Sequence, residues 1–190
     1  MTALVLGLAL LVWIAPPAVS EALIYDRAAI LHGAVWRLWS GHLVHFSASH
    51  LGWNLLVVGL AGAWIECAGF RGGRALWMIV PPCIGLALLA GDPTLSRYGG
   101  LSGLATAIVV FACLSECRFR PGRIIWGVAL ALVGLKIGWE FFAGNPVFAH
   151  FEHGTVRAVP LSHLAGLVSA FVLWLIVSDN KPAATISSVG

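Results

Sequence analysis

The sequence predicts an all-α polytopic membrane protein. Three observations carry this reading: 59% of the 190 residues are hydrophobic, only 10% are charged, and the apolar residues gather into six long runs. An ordinary soluble domain has ~25% charged residues. A soluble chain of this length could not hide so much apolar surface, and the mean hydropathy is +0.92. Each run approaches the ~20 residues that cross ~30 Å of hydrocarbon. Lipid offers no partner to backbone polar groups, and the runs lack period-two alternation, so the spanning elements are helices. The net charge of +3 comes without a basic block, so nothing points to nucleic acid. One domain over residues 1–178 is expected.

The first run is Ala3–Val19. Ala18-Val19-Ser20 ahead of Glu21 is compatible with a signal-peptidase site, but Met1-Thr2-Ala3 brings no positive stretch before it, so a retained span is expected. The second run is Leu51–Phe70 and the third Ala75–Gly91. Pro81-Pro82 lies inside the third; two missing amide hydrogens should kink or split that helix. Leu101–Cys117, Ile124–Phe142 and Leu161–Val177 complete the six, and residues 179–190 form a short polar tail.

Loop charges suggest an orientation. With the N-terminus cytoplasmic, the inner side holds Arg71, Arg74, Arg118, Arg120, Arg123 and Lys181, and the outer side Arg27, Arg37, Arg97 and Arg157. The inner arginines cluster in short loops at span ends, where the positive-inside bias counts most. Both termini are then cytoplasmic. His50, Ser102 and His163 each stand at the start of a span that runs from outside to inside. Three helices thus carry a polar residue to the same depth, just below the outer surface.

That convergence makes them candidates for chemistry. Ser102, in Gly100-Leu101-Ser102-Gly103, is a candidate nucleophile at a helix N-terminus, where free N–H groups favour an oxyanion. Taken alone the string is weak, because small residues also pack membrane helices. His163 is an ionisable residue in a span, by default a functional hypothesis; bridging helices or ligating haem are alternatives. Ser162, Gly166 and Ala170 recur every four residues, and Ser102, Gly103, Thr106 and Ala107 form a similar small face on the fourth span. Close contact between the two faces would bring Ser102 and His163 together. His50 and Asn54 lie one turn apart on one face. A buried Asn amide aimed at an oxyanion can be worth roughly 10²–10³ in rate, whereas ordinary interhelical bonding contributes ~0.6 kcal/mol.

Lys136 and Glu140 are charges in the outer half of the fifth span. Their spacing suits a mutual ion pair with the lysine reaching outward; the functional alternative is a lining for substrate access. His42 and His45 read as loop-organising partners or as a metal site, and no His-Glu-x-x-His string supports the metal. Gly91-Asp92 lacks the preceding glycine of a Gly-x-Gly-Asp motif. Cys67, Cys83, Cys113 and Cys117 have no metal-ligand spacing and read as packing thiols.

The ordered set Trp36-Arg37, His50-x-x-x-Asn54, Gly100-x-Ser102-Gly103 and His163-x-x-Gly166, with Glu66 near the inner end of the second span, resembles the rhomboid family of intramembrane serine proteases. The resemblance covers residues from about 25 to 178 and implies a six-helix rhomboid-like bundle. It implies a Ser102–His163 dyad without a third acid, and an oxyanion site from His50, Asn54 and the Ser102 N–H. Trp36, Arg37, Glu66, Gly100, Gly103 and Gly166 take structural places. The fifth span would border a lateral opening, and the loop Gly144–Pro160, with His150 and His153, would cap the site. Tyr25-Asp26-Arg27, Trp36-Arg37-Leu38 and Gly41-His42-Leu43-Val44-His45 are similar to the rhombosortase branch. That branch implies a bacterial inner membrane, a site opening to the periplasm, and single-span or C-terminally anchored substrates with a Gly-rich sorting tail. Membrane lipids are the other expected partners; no cofactor, metal or nucleic acid is. The competing readings are a catalytically inactive rhomboid-like chaperone or binder, and a small haem or quinone protein using His50 and His163.

Overall fold

The structure is a computed structural model that describes residues 1–119, 123–144, 147 and 159–177. The expected tail 179–190, and most of the expected cap with His150 and His153, lie outside the described residues. The elements run α1 (Thr2–Ile14), α2 (Pro17–Leu23), β1 (Tyr25–Asp26), α3 (Arg27–Leu31), α4 (Arg37–Ser40), a 3₁₀ turn (Gly41–Leu43), α5 (Ala48–Ala68), α6 (Gly73–Gly91), β2 (Arg97–Tyr98), α7 (Ser102–Phe119), α8 (Arg123–Ala143) and α9 (Pro160–Val177).

Among the described residues, four helices are long and apolar enough to cross a membrane: Ala48–Ala68, Gly73–Gly91, Ile124–Ala143 and Pro160–Val177. The six runs predict two more. The first departs from expectation because Pro16 and Pro17 interrupt it. Ala15 is driven to an extended conformation (φ −72°, ψ 160°), as a residue before proline must be. A separate α2 then starts with proline in its first turn, where its missing N–H costs nothing. The 13 residues of α1 reach about 20 Å at ~1.5 Å each, short of a full crossing. The fourth run becomes α7, the centre of the bundle, packed by α5, α6, α8 and α9 and buried on nearly every side.

Pro81 and Pro82 do not split α6, which runs unbroken. Pro81 has no N–H to give the Trp77 carbonyl, and the Trp39 indole donates to that carbonyl instead at 3.1 Å. The loop before α5 is held by similar exchanges. The last carbonyls of α2 have no helical partners. Arg37 donates to those of Glu21 (2.9 Å) and Ile24 (2.7 Å), Ser40 to Leu23 (2.7 Å), and Trp36 to Ala22 (3.3 Å). Arg27 does the same for α6, donating to the Leu89 carbonyl at 2.7 Å. Asp92 closes the next turn by accepting from the backbone N–H groups of Thr94 and Leu95.

A two-residue antiparallel ladder, Tyr25↔Tyr98 and Asp26↔Arg97, ties this loop to the segment before α7. No strand is expected there from the sequence, because the pairing is made by loop geometry and not by an alternating pattern. At the other end, Glu66 accepts from the Thr2 N–H (2.8 Å) and hydroxyl (3.0 Å). It thereby caps the start of α1 with a negative charge at the positive end of the helix dipole.

Candidate active site

The start of α7 is shaped by glycine. Gly100 has φ +119°, and a Cβ there would collide with the His50 ring, so the imidazole lies directly on the backbone two residues before Ser102. His50 enters α5 at its first turn, where Ser47 caps the helix by accepting from the His50 N–H at 3.1 Å. Asn54 follows one turn later on the same buried face. It is 5% exposed, and its amide nitrogen has no partner among the described residues. Buried donors left this way are uncommon and call for an explanation.

His45 and His42 organise the surroundings. His45 Nδ1 is 3.1 Å from the Leu43 carbonyl, and its Nε2 faces the Leu101 N–H at 3.5 Å. The consistent assignment is a neutral ring donating through Nδ1 and accepting through Nε2. Burial, with His50 beside it, pushes the His45 imidazole down to about 3. His42 lies between the carbonyls of Pro81 (3.0 Å) and Gly100 (3.3 Å), and burial lowers its pKa as well. Among the described residues no three His, Cys, Asp or Glu side chains group as for a metal ion.

α7 and α9 approach as closely as backbones can. A Cβ on Gly166 would overlap the Gly103 carbonyl, and one on Gly103 would stand 2.8 Å from the Ser162 carbonyl. Ser162, Gly166 and Ala170 are all buried in this contact, as the spacing of small residues predicts. Ser102 neighbours Gly103, and His163 neighbours Ser162. Ser102 and His163 therefore stand on adjoining turns of α7 and α9. Tyr98 lies beside this contact. Burial raises its phenol pKa, and the Ser162 and Ser102 hydroxyls act against that rise; its hydroxyl donates to the Gly100 carbonyl at 3.2 Å. His50 is also close enough to interact electrostatically with His163.

His163 is 6% exposed. Its Nδ1 is 2.6 Å from Glu140 Oε2 and 3.1 Å from Lys136 Nζ, while its Nε2 is buried with no partner among the described residues. Lys136 and Glu140 form the i,i+4 ion pair that their spacing predicts, at 2.8 Å. Their polar ends meet the histidine ring.

The structure thus brings Ser102, His163, His50 and Gly100 to the N-terminal end of α7, with Asn54 one turn further along α5. Trp36 and Arg37 sit in the loop, and Glu66 at the far end of α5. Tyr98 and the contact between Glu140 and His163 are not anticipated from the sequence. A tyrosine two residues before the Gly-x-Ser-Gly string was the available sign for the first. Glu116 is a further surprise: it is 0% exposed in α7 and accepts from the Trp64 indole at 2.9 Å. A glutamate inside an apolar run was its sign.

No family model matches the chain. It is similar to the rhomboid protease GlpG of Photorhabdus laumondii, with 28% identity over 155 residues, which is 79% of this chain and 49% of that protein. The chain thus spans about half the length of the curated relative it matches. The match supports kinship with rhomboid proteases and does not single out the rhombosortase branch.

Proposed function

We propose that this chain is an intramembrane serine endopeptidase that cleaves a membrane-embedded helix near one face of the bilayer. The observation that carries this reading is the imidazole of His163. Its Nε2 is buried without a partner among the described residues, on the turn of α9 that abuts the start of α7. A buried ring nitrogen with no partner costs free energy, and a proton-accepting role explains why it is left open. Similarity to a rhomboid protease over 79% of the chain supports the same reaction class.

In this mechanism Ser102 gives its proton to His163 and its oxygen attacks a peptide carbonyl. Asn54, His50 and the Ser102 N–H hold the oxyanion, and one such donor is worth roughly 10²–10³ in rate. His163 then protonates the leaving amine, and water releases the acyl group. A helical substrate must fray at the scissile bond, so glycine is favoured there. That requirement suits a Gly-rich C-terminal sorting helix of a secreted protein. The site would open to the periplasm, with both termini cytoplasmic.

Labelling with a fluorophosphonate probe tests the assignment. Wild-type protein in detergent should be modified at Ser102, and Ser102→Ala and His163→Ala should each abolish modification and cleavage while still inserting in the membrane. Robust processing by the serine variant would reject the nucleophile. Mass spectrometry of secreted proteins from cells with and without Ser102 should identify substrates whose C-terminal segment is missing only when Ser102 is present.

A further inference from the structure

We infer that Glu140 is a positioning residue: its carboxylate holds the His163 ring in the tautomer that leaves Nε2 as the proton acceptor, and Lys136 supplies the counter-charge that keeps this carboxylate in place. The inference rests on the Ser102–His163 reading and adds a third member to what the resemblance implies is a dyad.

Glu140 is 1% exposed on a helix that otherwise faces outward along most of its length. A buried carboxylate is expensive unless paired and hydrogen-bonded. Pairing with Lys136 alone would account for its charge. Oε2, which Lys136 Nζ also reaches at 2.9 Å, lies in addition 2.6 Å from His163 Nδ1, a charge-assisted distance.

Nδ1 also lies 3.1 Å from Lys136 Nζ. A ring nitrogen cannot both donate to a carboxylate and accept from an ammonium, which has donors only. The shorter contact to the carboxylate decides the assignment: the proton is on Nδ1, and the lone pair is on Nε2. When the Ser102 Oγ–H bond breaks, its proton moves to Nε2. The Oγ–C bond forms, the carbonyl π pair moves to oxygen, and the Nδ1 proton stays where it is. The imidazolium so formed finds a carboxylate already beside it.

The test uses one asymmetry. In Glu140→Gln, Lys136 reaches both positions, as it now reaches Oε1 at 2.8 Å and Oε2 at 2.9 Å, but the Val147 N–H donates to Oε1 at 3.4 Å; the amide oxygen should keep that position and so turn the amide NH₂ towards Nδ1. That imposes the opposite tautomer, with Nε2 protonated. In the double variant Glu140→Ala/Lys136→Met neither tautomer is imposed. Ser102 phosphonylation by a fluorophosphonate probe should therefore fall on the order of 10²–10⁴-fold in Glu140→Gln, the range expected when a triad histidine is held in the wrong tautomer. The double variant should react faster than Glu140→Gln, although it loses more packing. A purely structural role predicts the reverse order.

¹⁵N chemical shifts of His163 in the wild-type protein give a second readout that needs no variant. An Nδ1–H tautomer is expected, and an Nε2–H tautomer would overturn the inference, as would Glu140→Gln reacting within about twofold of wild type. If wild-type protein is not modified at Ser102 at all, the underlying protease reading fails and this inference with it. Modified wild type with a tolerant Glu140→Gln removes Glu140 alone.

Discussion

A hydrogen atom in place of a methyl group decides how near α7 and α9 come. Gly166→Ala would drive a Cβ into the Gly103 carbonyl, and overpacking of this kind costs typically 1–3 kcal/mol. Gly134 in α8 has nothing within 4 Å of an added Cβ. Gly166→Ala should lower the thermal midpoint in detergent and slow Ser102 modification, while Gly134→Ala should stay within about 0.5 kcal/mol of wild type; equal effects would discard the contact as a determinant. At this scale the sequence is informative about small residues, because Ser162, Gly166 and Ala170 recur at helical spacing. It is silent about what Glu140 meets on α9. Spacing gives its bond to Lys136 on the same helix, but the contact with His163 depends on how α8 is rotated against α9, which no local pattern encodes.

Elements here are completed by their neighbours. At Pro81 the Trp39 indole supplies the N–H that the proline cannot give to Trp77. Removing that donor by Trp39→Phe should cost about 0.5–1.5 kcal/mol. In a Pro81→Ala background the helix regains its own N–H at this point, so the cost should shrink. Thermal unfolding of the four-member cycle measures the difference, and additivity would show that the indole is not standing in for the proline. The prolines in α6 were legible in the sequence as missing donors, but the replacement at Pro81 was not, because the donor arrives from α4, 38 positions from the carbonyl it serves. The end of α1 was legible: Pro16-Pro17 carries the break, and continuing the apolar run through it overstated the span. Trp36 and Arg37 stood out as a motif, yet their work on the α2 carbonyls appears only once the chain has turned back.

For the whole molecule, the apolar runs foretold a helical membrane bundle, and polar residues inside them marked where to look. The interior between loop and bundle was harder to foresee, since the hydrogen bonds that fix His42 and His45 go to backbone groups. They also tie stability to pH. The ordinary histidine value is 6.5, and burial holds His45 near 3 and lowers His42. The unfolded chain therefore takes up protons below 6.5 that the fold refuses. Stability is full above 6.5 and is lost as pH falls towards 3. At ~1.4 kcal/mol per unit, His45 alone accounts for about 2 kcal/mol between pH 6.5 and 5. The melting midpoint in detergent should fall over that range, and His45→Gln should flatten the fall; an unchanged slope would show that the ring is accessible to protons. Finally, the glycine seam joining α7 to α9 is indifferent to chemistry. On the proposed mechanism, a descendant that exchanged Ser102 for alanine but kept both glycines would retain this architecture and lose turnover. Those two positions therefore diagnose shape, and whether such a chain can cut depends on the side chains beside them.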